Sequence, residues 1–140
     1  MSDVLDTNVV SELMKGTARV VGRLSSAARD DVSVPQPVLA EIAFGLARLP
    51  KSRRRAQLEG RFEVIRAELP RADWTDQVSD AYGTITASLQ RQGQRIEDFD
   101  AAIAVHALAT GAVLVTANGQ HMARVHGLRI EDWSIEAPDA

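Results

Sequence analysis

The heptapeptide Val4-Leu5-Asp6-Thr7-Asn8-Val9-Val10 joins an apolar segment to the start of a helix through a single acidic residue. An apolar run that stops at Asp6 predicts a short strand over residues 3–5, with the carboxylate at its carboxyl end. In open parallel sheets, ligands bind beyond the carboxyl ends of the strands. The heptapeptide therefore predicts the first strand of a parallel sheet and one wall of a functional site.

Strands and helices are expected to alternate along the rest of the chain. A helix over residues 8–15 is capped by Thr7 or Asn8 and ends at Gly16. Hydrophobic spacing, with proline and glycine as boundaries, predicts helices at residues 18–28, 37–49, 51–69, 76–92 and 98–109, and strands at residues 32–34, 113–116 and 128–130. The two middle helices are expected to pack as a hairpin. This alternation implies an α/β fold, a three-layer α/β/α sandwich around a central, mainly parallel sheet.

Length and composition bound the class of protein. The 140 residues contain no repeat or linker, which predicts a single domain over residues 1–140 that buries roughly 70% of its unfolded surface. The chain has no cysteine, which excludes disulfides and thiolate metal sites and agrees with a reducing cytosol. Its start lacks the basic residues of a signal peptide, and no apolar run approaches the ~18 residues of a membrane span. We therefore expect a cytoplasmic protein without membrane contact.

Further polar residues stand beside apolar segments that would hold them rigidly. Glu41 lies within Val38-Leu39-Ala40-Glu41-Ile42, Asp98 and Asp100 precede Ala101-Ala102-Ile103-Ala104, and Thr116-Ala117-Asn118 follows the apolar run Val113-Leu114-Val115. Together with Asp6-Thr7-Asn8, the order and spacing of these pieces resemble a PIN-domain ribonuclease, in particular the VapC-type toxin of bacterial toxin-antitoxin pairs. The resemblance covers essentially the whole chain, from Asp6 to Trp133.

The resemblance implies a metal-dependent endoribonuclease that hydrolyses RNA phosphodiester bonds and acts as the toxin of a toxin-antitoxin system. Asp6, Glu41 and Asp100 would be its catalytic residues and would hold Mg²⁺ or Mn²⁺, which prefer oxygen ligands. A water bound to that metal would be the nucleophile. Carboxylates gathered in this way repel one another, so at least one should have a raised pKa. The resemblance also implies a transfer or ribosomal RNA substrate, a cognate antitoxin and a homodimer.

Short polar side chains are expected to support the acids. Thr7, Asn8, Thr116 and Asn118 lie at strand-to-helix turns, where they hydrogen-bond the backbone or orient a carboxylate. The family pattern is Thr-x-Asn-x-x-Asp, and this chain has His121 at its last position. The missing carboxylate leaves open whether one or two metals bind. We expect His121 at the rim of the acid cluster, in contact with substrate.

Two acids and two other residues have ordinary structural interpretations. Asp98 is expected either to cap the helix that follows it or to assist the metal site. Glu12 is expected to be an exposed acid. On a helix, the side chain of His106 would be rotated by about 240° from that of Asp100, which predicts a partly buried structural histidine. Trp133 is expected to pack after the last strand.

The charges of the chain are unevenly distributed. The net charge of −3 argues against general binding to polyanions. Residues 51–71 nevertheless hold seven basic residues against three acidic ones. Within this segment, Arg53, Arg54 and Arg55 form either a solvated helix face or a contact surface for RNA.

Two other functions remain open from the sequence. A PIN-fold binding module with weakened catalysis is suggested by His121 in place of an acid, and fold resemblance does not exclude it. Phosphotransfer through Asp6 as nucleophile is disfavoured. Phosphatases of the haloacid dehalogenase type have a second aspartate where this chain has Asn8, and the only lysines are Lys15 and Lys51.

Overall fold

The computed structural model describes residues 2–135 and contains one five-stranded sheet with parallel pairing throughout. Its strands are β1 (Asp3–Leu5), β2 (Val32–Pro35), β3 (Arg71–Ala72), β4 (Val113–Val115) and β5 (Arg129–Glu131). Their spatial order is β3-β2-β1-β4-β5. The predicted α/β/α sandwich with a parallel central sheet is confirmed.

Seven helices flank the sheet in the described part of the chain. They are α1 (Thr7–Lys15), α2 (Ala18–Ser26), α3 (Gln36–Arg48), α4 (Arg53–Glu68), α5 (Asp76–Arg91), α6 (Asp98–Ala109) and α7 (Gly119–Met122), with a 3-10 turn at Arg29–Asp31. The Ser52 and Thr75 hydroxyls cap α4 and α5 by accepting from backbone N–H groups at 3.1 and 3.4 Å. Gly16 ends α1 in the left-handed region, with φ of 76°. Within residues 2–135, no helix combines the length and apolarity needed to cross a bilayer.

β1 lies at the middle of the sheet, where the order of the strands reverses. The chain runs from β1 to β2 and β3 on one side and later forms β4 and β5 on the other side. β1 pairs with β2 in the register Asp3–Val32 and with β4 in the register Leu5–Val115. At such a switch point the connections leave in opposite directions and open a crevice beyond the strand ends. Asp6 directly follows β1 and therefore stands at this crevice.

The strands of the sheet form the centre of the core. The central strand β4 is a continuous aliphatic run, as expected where helices cover a sheet on both faces. Helix α6 is buried on every side from Ala101 to Ala107, which makes it the central helix of its layer. Trp133 packs into the core after β5, as expected. The strand side chains with no exposed surface are Leu5, Val32, Val34, Leu114 and Val115.

Three local predictions are wrong. The helices at 51–69 and 76–92 do not form the expected hairpin, because α5 packs chiefly against α6 whereas α4 packs against α1 and α3. Strand β3 was not predicted, since two residues are too few to show an alternating pattern. Helix α1 begins at Thr7, and its cap is the Asp6 side chain, not Thr7 or Asn8.

His106 is more deeply buried than expected. Its side chain has no exposed surface, and neither ring nitrogen has a hydrogen-bond partner among the described residues. The Trp74 ring meets it edge-on, with the centroids 5.5 Å apart. Burial lowers the pKa of His106, and the nearby backbone and charge of Asp73 only partly oppose this. The histidine is therefore neutral in the folded protein.

We expect His106→Leu to raise the free energy of unfolding by about 1 kcal/mol at pH 7, because leucine leaves no buried polar atom unpaired. The benefit should grow as the pH falls below 6.5. In that range the unfolded wild-type chain takes up a proton that folded His106 cannot accept, so wild-type stability is lost as the pH decreases. Urea unfolding at pH 7 and pH 5 measures the effect. An equal difference between wild type and variant at both pH values would contradict a lowered histidine pKa.

Candidate active site

The carboxylate of Asp6 is buried and held by three donors. Its side chain is 3% exposed. Oδ1 accepts from the Thr7 N–H at 2.7 Å, and Oδ2 accepts from Thr116 Oγ1 at 2.8 Å and Asn8 Nδ2 at 3.2 Å. These bonds compensate for the lost hydration of the charge and fix the orientation of the group. A carboxylate has about four lone-pair positions, so one remains for a further ligand.

Thr116 and Asn8 connect the two turns that flank the crevice. The buried Thr116 Oγ1 also accepts from Asn8 Nδ2 at 3.2 Å and from the backbone N–H of Asn118 at 2.9 Å. Asn8 Oδ1 in turn accepts from the Ala117 N–H at 3.0 Å. The turn after β1 is thereby tied to the turn after β4. Asn118 joins this hydrogen-bond network through its backbone N–H, and the residue itself is exposed to solvent.

Glu41 reaches the crevice from α3, the helix that follows β2. Because β2 is the neighbour of β1, α3 passes close to the end of β1. Thr7 Oγ1 donates to Glu41 Oε1 at 2.6 Å. Thr7 thus contacts two acids, Asp6 through its backbone and Glu41 through its hydroxyl.

Asp100 completes the acid cluster from the first turn of α6. Burial first, and then the negative charges of Asp6, Glu41 and Glu97, raise the pKa of Asp100 to about 6, although His121 lowers it. Its side chain is 27% exposed. Asp6, Glu41 and Asp100 are distant in sequence, but they lie close enough for their charges to interact. The expected raised pKa within the cluster is confirmed for Asp100.

The donor set fits a hard divalent cation. All three acids supply oxygen, and the Asp100 carboxylate accepts no hydrogen bond from any described residue, so its lone pairs are available. Within residues 2–135, no three His, Asp or Glu side chains are already gathered as closely as metal ligands. Mg²⁺ needs only one or two direct carboxylates because it keeps several waters, so the cluster suits a partly hydrated ion.

His121 lies at the rim of the acid cluster. Its Nε2 is 3.7 Å from Asp100 Oδ2, and its side chain is 29% exposed. The short helix α7 places it there, directly after the turn held by Thr116. An imidazole at this position has a face toward solvent and lies beside the acid that the others repel most.

The sequence prediction missed Glu97 and overstated Asp98. Glu97 is the cap of α6, its Oε2 accepting from the Asp100 N–H at 3.4 Å, and its charge acts on Asp100. Asp98 does not cap the helix. Its carboxylate is 69% exposed and pairs with Arg95 at 3.3 Å. No sequence signal distinguishes Glu97 from the neighbouring acids as the cap of α6.

The three arginines at the start of α4 have different surroundings. Arg55 Nε donates to Glu59 at 2.6 Å and its Nη1 donates to the Leu49 carbonyl at 2.9 Å, so this side chain is held against α4. Arg53 and Arg54 are exposed. Contact of these residues with RNA stays a prediction.

Comparison with known proteins identifies the family of the chain. The PIN domain family model matches residues 4–128. A tRNA(fMet)-specific endonuclease VapC of Shigella flexneri is 32% identical over 136 residues, which cover 94% of this chain and 97% of that protein. Ribonuclease VapC2 of Rickettsia felis is 29% identical over 132 residues, covering 93% of this chain and 96% of that protein.

Two solved structures share the whole architecture. VapBC2 from Rickettsia felis, bound to a DNA fragment from its promoter, has a TM-score of 0.84 and 27% identity, covering 95% of this chain and 99% of that one. VapBC-1 from nontypeable Haemophilus influenzae has a TM-score of 0.83 and 28% identity, covering 96% and 100%. The chain described here therefore belongs to the PIN-domain family, among its VapC proteins.

Proposed function

We propose that the protein is a metal-dependent endoribonuclease that acts as the toxin of a toxin-antitoxin pair. The observation that carries the proposal is the convergence of Asp6, Glu41 and Asp100 at the switch point of a parallel sheet. Relatives named as ribonuclease and tRNA-specific endonuclease share nearly the full length of the chain. The substrate we propose is a transfer or ribosomal RNA.

The residues of the site have separate roles in this proposal. Asp6 and Asp100 bind Mg²⁺ or Mn²⁺, and Glu41 binds it directly or through water. A bound cation supplies an activated water and offsets the charge of the phosphate. Thr116, Asn8 and Thr7 keep the acids in place, and His121 donates to a phosphate oxygen of the RNA.

A cognate antitoxin would block the site from an apolar groove beside it. A cavity of about 210 Å³ lies between α1, α3 and α4, and Thr7 and Glu41 are at one end of it. Its walls include Met14, Ile42 and Leu46. A groove of this kind suits the apolar face of a peptide segment. A segment bound there would end at the acid cluster and exclude RNA.

We also propose a homodimer and a cytoplasmic location. Trp74 and Phe99 are exposed by 39% and 44% and flank an apolar cavity, a kind of surface that often lies in interfaces. Light scattering of the purified protein measures its mass.

A cysteine-free chain that acts on cellular RNA suits a reducing compartment.

A binding module with weakened catalysis is the second candidate. The observation in its favour is His121 at the position where the family pattern has an acid. Three acids remain in the crevice, so we favour the enzyme.

We expect RNA cleavage to require Mg²⁺ or Mn²⁺ and to be lost in Asp6→Asn, because the amide removes the central negative ligand. Thr116→Val should lower the rate about 10- to 100-fold, since it removes only a group that orients Asp6. Cleavage of purified tRNA and rRNA, with and without chelator, measures both effects. Circular dichroism establishes that the variants are folded. Full cleavage in chelator, or a fully active Asp6→Asn variant, would show that the site is misassigned.

In the metal-free protein, Asp100 should make folding less favourable above pH 6 than at pH 4. Folded Asp100 has a raised pKa of about 6, so it keeps a proton that the unfolded chain releases from about pH 4 upward. Stability is therefore lost as the pH rises through this window. Asp100→Asn should remove the loss and stabilise the metal-free protein at pH 7 by on the order of 2 kcal/mol. Thermal unfolding in chelator from pH 4 to pH 7 tests this, and a variant less stable than wild type at pH 7 would contradict it.

Gly45→Leu should weaken inhibition by the antitoxin about tenfold, because a side chain there would enter the groove between α1, α3 and α4. A Cβ at Gly45 meets nothing within 4 Å, so the first carbon of the new side chain has room. Gly22→Leu is the matched control, since Gly22 lies on α2 outside the groove and has equal space. Titration of cleavage with the antitoxin measures both variants. Equal inhibition of the two would show that the antitoxin binds elsewhere.

A further inference from the structure

A polar cleft without carboxylates lies beside α7 and the end of α5. It is a cavity of about 590 Å³ lined by Gln92, Gln94, Gln120, Ala123, Arg124 and His126. Five of these six residues carry side-chain hydrogen-bond donors, and none is acidic. The cleft therefore suits a ligand that is rich in acceptors and negatively charged.

The two sequence segments that supply the cleft contain basic residues and no acidic ones. Residues 81–96 and 101–130 contain no aspartate or glutamate, although the chain has 19 acidic residues. The same two segments hold all three histidines and the arginines Arg91, Arg95, Arg124 and Arg129. Every residue that lines the cleft comes from these segments. A protein with a net charge of −3 thus carries a locally cationic cleft.

Helix α7 supplies residues both to the cleft and to the rim of the acid cluster. Gln120 is the neighbour of His121 on α7, and His121 Nε2 lies 3.7 Å from Asp100. A strand whose phosphate is held at the acids would pass His121 and enter the cleft. A small substrate would end at the acids and make no use of it.

Arg124 has donors available for a ligand. Its Nη1 donates to the Arg95 carbonyl at 2.9 Å. The guanidinium has five N–H donors, so four remain. Among the described residues, Arg124 forms no ion pair with an acid. Its charge is thus not neutralised within residues 2–135.

We propose that the RNA strand flanking the scissile bond lies along this cleft, with Arg124 and His126 contacting its phosphates. The glutamine amides bind phosphate or ribose oxygens. The inference rests on the proposed ribonuclease function. It adds an RNA-binding track, formed by Arg124, His126 and the glutamines of the cleft, that is separate from the arginines at the start of α4.

Fluorescence anisotropy with a labelled single-stranded oligoribonucleotide of mixed sequence tests the track. Chelator prevents cleavage, and salt is varied. Arg124→Gln should weaken binding about tenfold and reduce the slope of log K against log salt by about 0.7, the value for one phosphate contact with a single strand. His126→Ala should weaken binding about 2- to 10-fold by removing one hydrogen bond.

Arg19→Gln is the matched control. Arg19 is exposed on α2, lines no part of the cleft and loses the same charge, so the salt slope should be unchanged. Because Arg124 also bonds to the Arg95 carbonyl, Arg124→Lys is included. Lysine keeps the positive charge, so this variant should keep most of the wild-type salt slope whether or not the bond to the Arg95 carbonyl survives. Thermal unfolding of each variant separates loss of binding from loss of the fold.

Wild-type slope and affinity in both Arg124→Gln and His126→Ala would overturn the track. The result would leave the ribonuclease function intact if those variants still cleave RNA. Wild-type protein that neither binds nor cleaves RNA with Mg²⁺ or Mn²⁺ would instead overturn the proposed function, and the track with it.

Discussion

The site depends on the buried carboxylate of Asp6, at the end of β1, accepting hydrogen bonds from three donors. A charge placed there without partners would cost several kcal/mol of stability. Thr116, Asn8 and the Thr7 N–H supply those partners, and two of them come from the turns on either side of the crevice. The network that makes the charge tolerable also holds β1 and β4 in register at their carboxyl ends. Folding and function therefore rely on the same few hydrogen bonds.

The cluster also contains electrostatic repulsion between acids that the fold does not relieve by itself. Asp6 is compensated, but Asp100 faces three other acids with only His121 as a favourable neighbour. A protein selected for stability alone would not gather these groups. Destabilised, like-charged side chains in a cleft are typical of functional sites, where a ligand supplies the missing charge.

The sequence predicted the main elements because their signals are local. An apolar run, a cap and a glycine suffice to mark β1, α1 and Gly16. The acids Asp6, Glu41 and Asp100 could be named from the family pattern, and the structure brings them together. The partners of α4 and α5 could not be predicted, since an apolar helix face does not specify which surface it covers. Glu97 was overlooked because three acids within four residues offer several equivalent caps, and only the backbone geometry selects one.

Both edge strands of the sheet are short and contain charged residues. Strand β3 has two residues and includes Arg71, and β5 has three residues and includes Arg129 and Glu131. Edges of this kind give little backbone for another chain to pair with, and the charges oppose such pairing. A toxin released from its antitoxin would then remain dispersed instead of associating with other chains through its edge strands. The brevity of two peripheral strands thereby protects the protein from aggregation during the interval in which it is active.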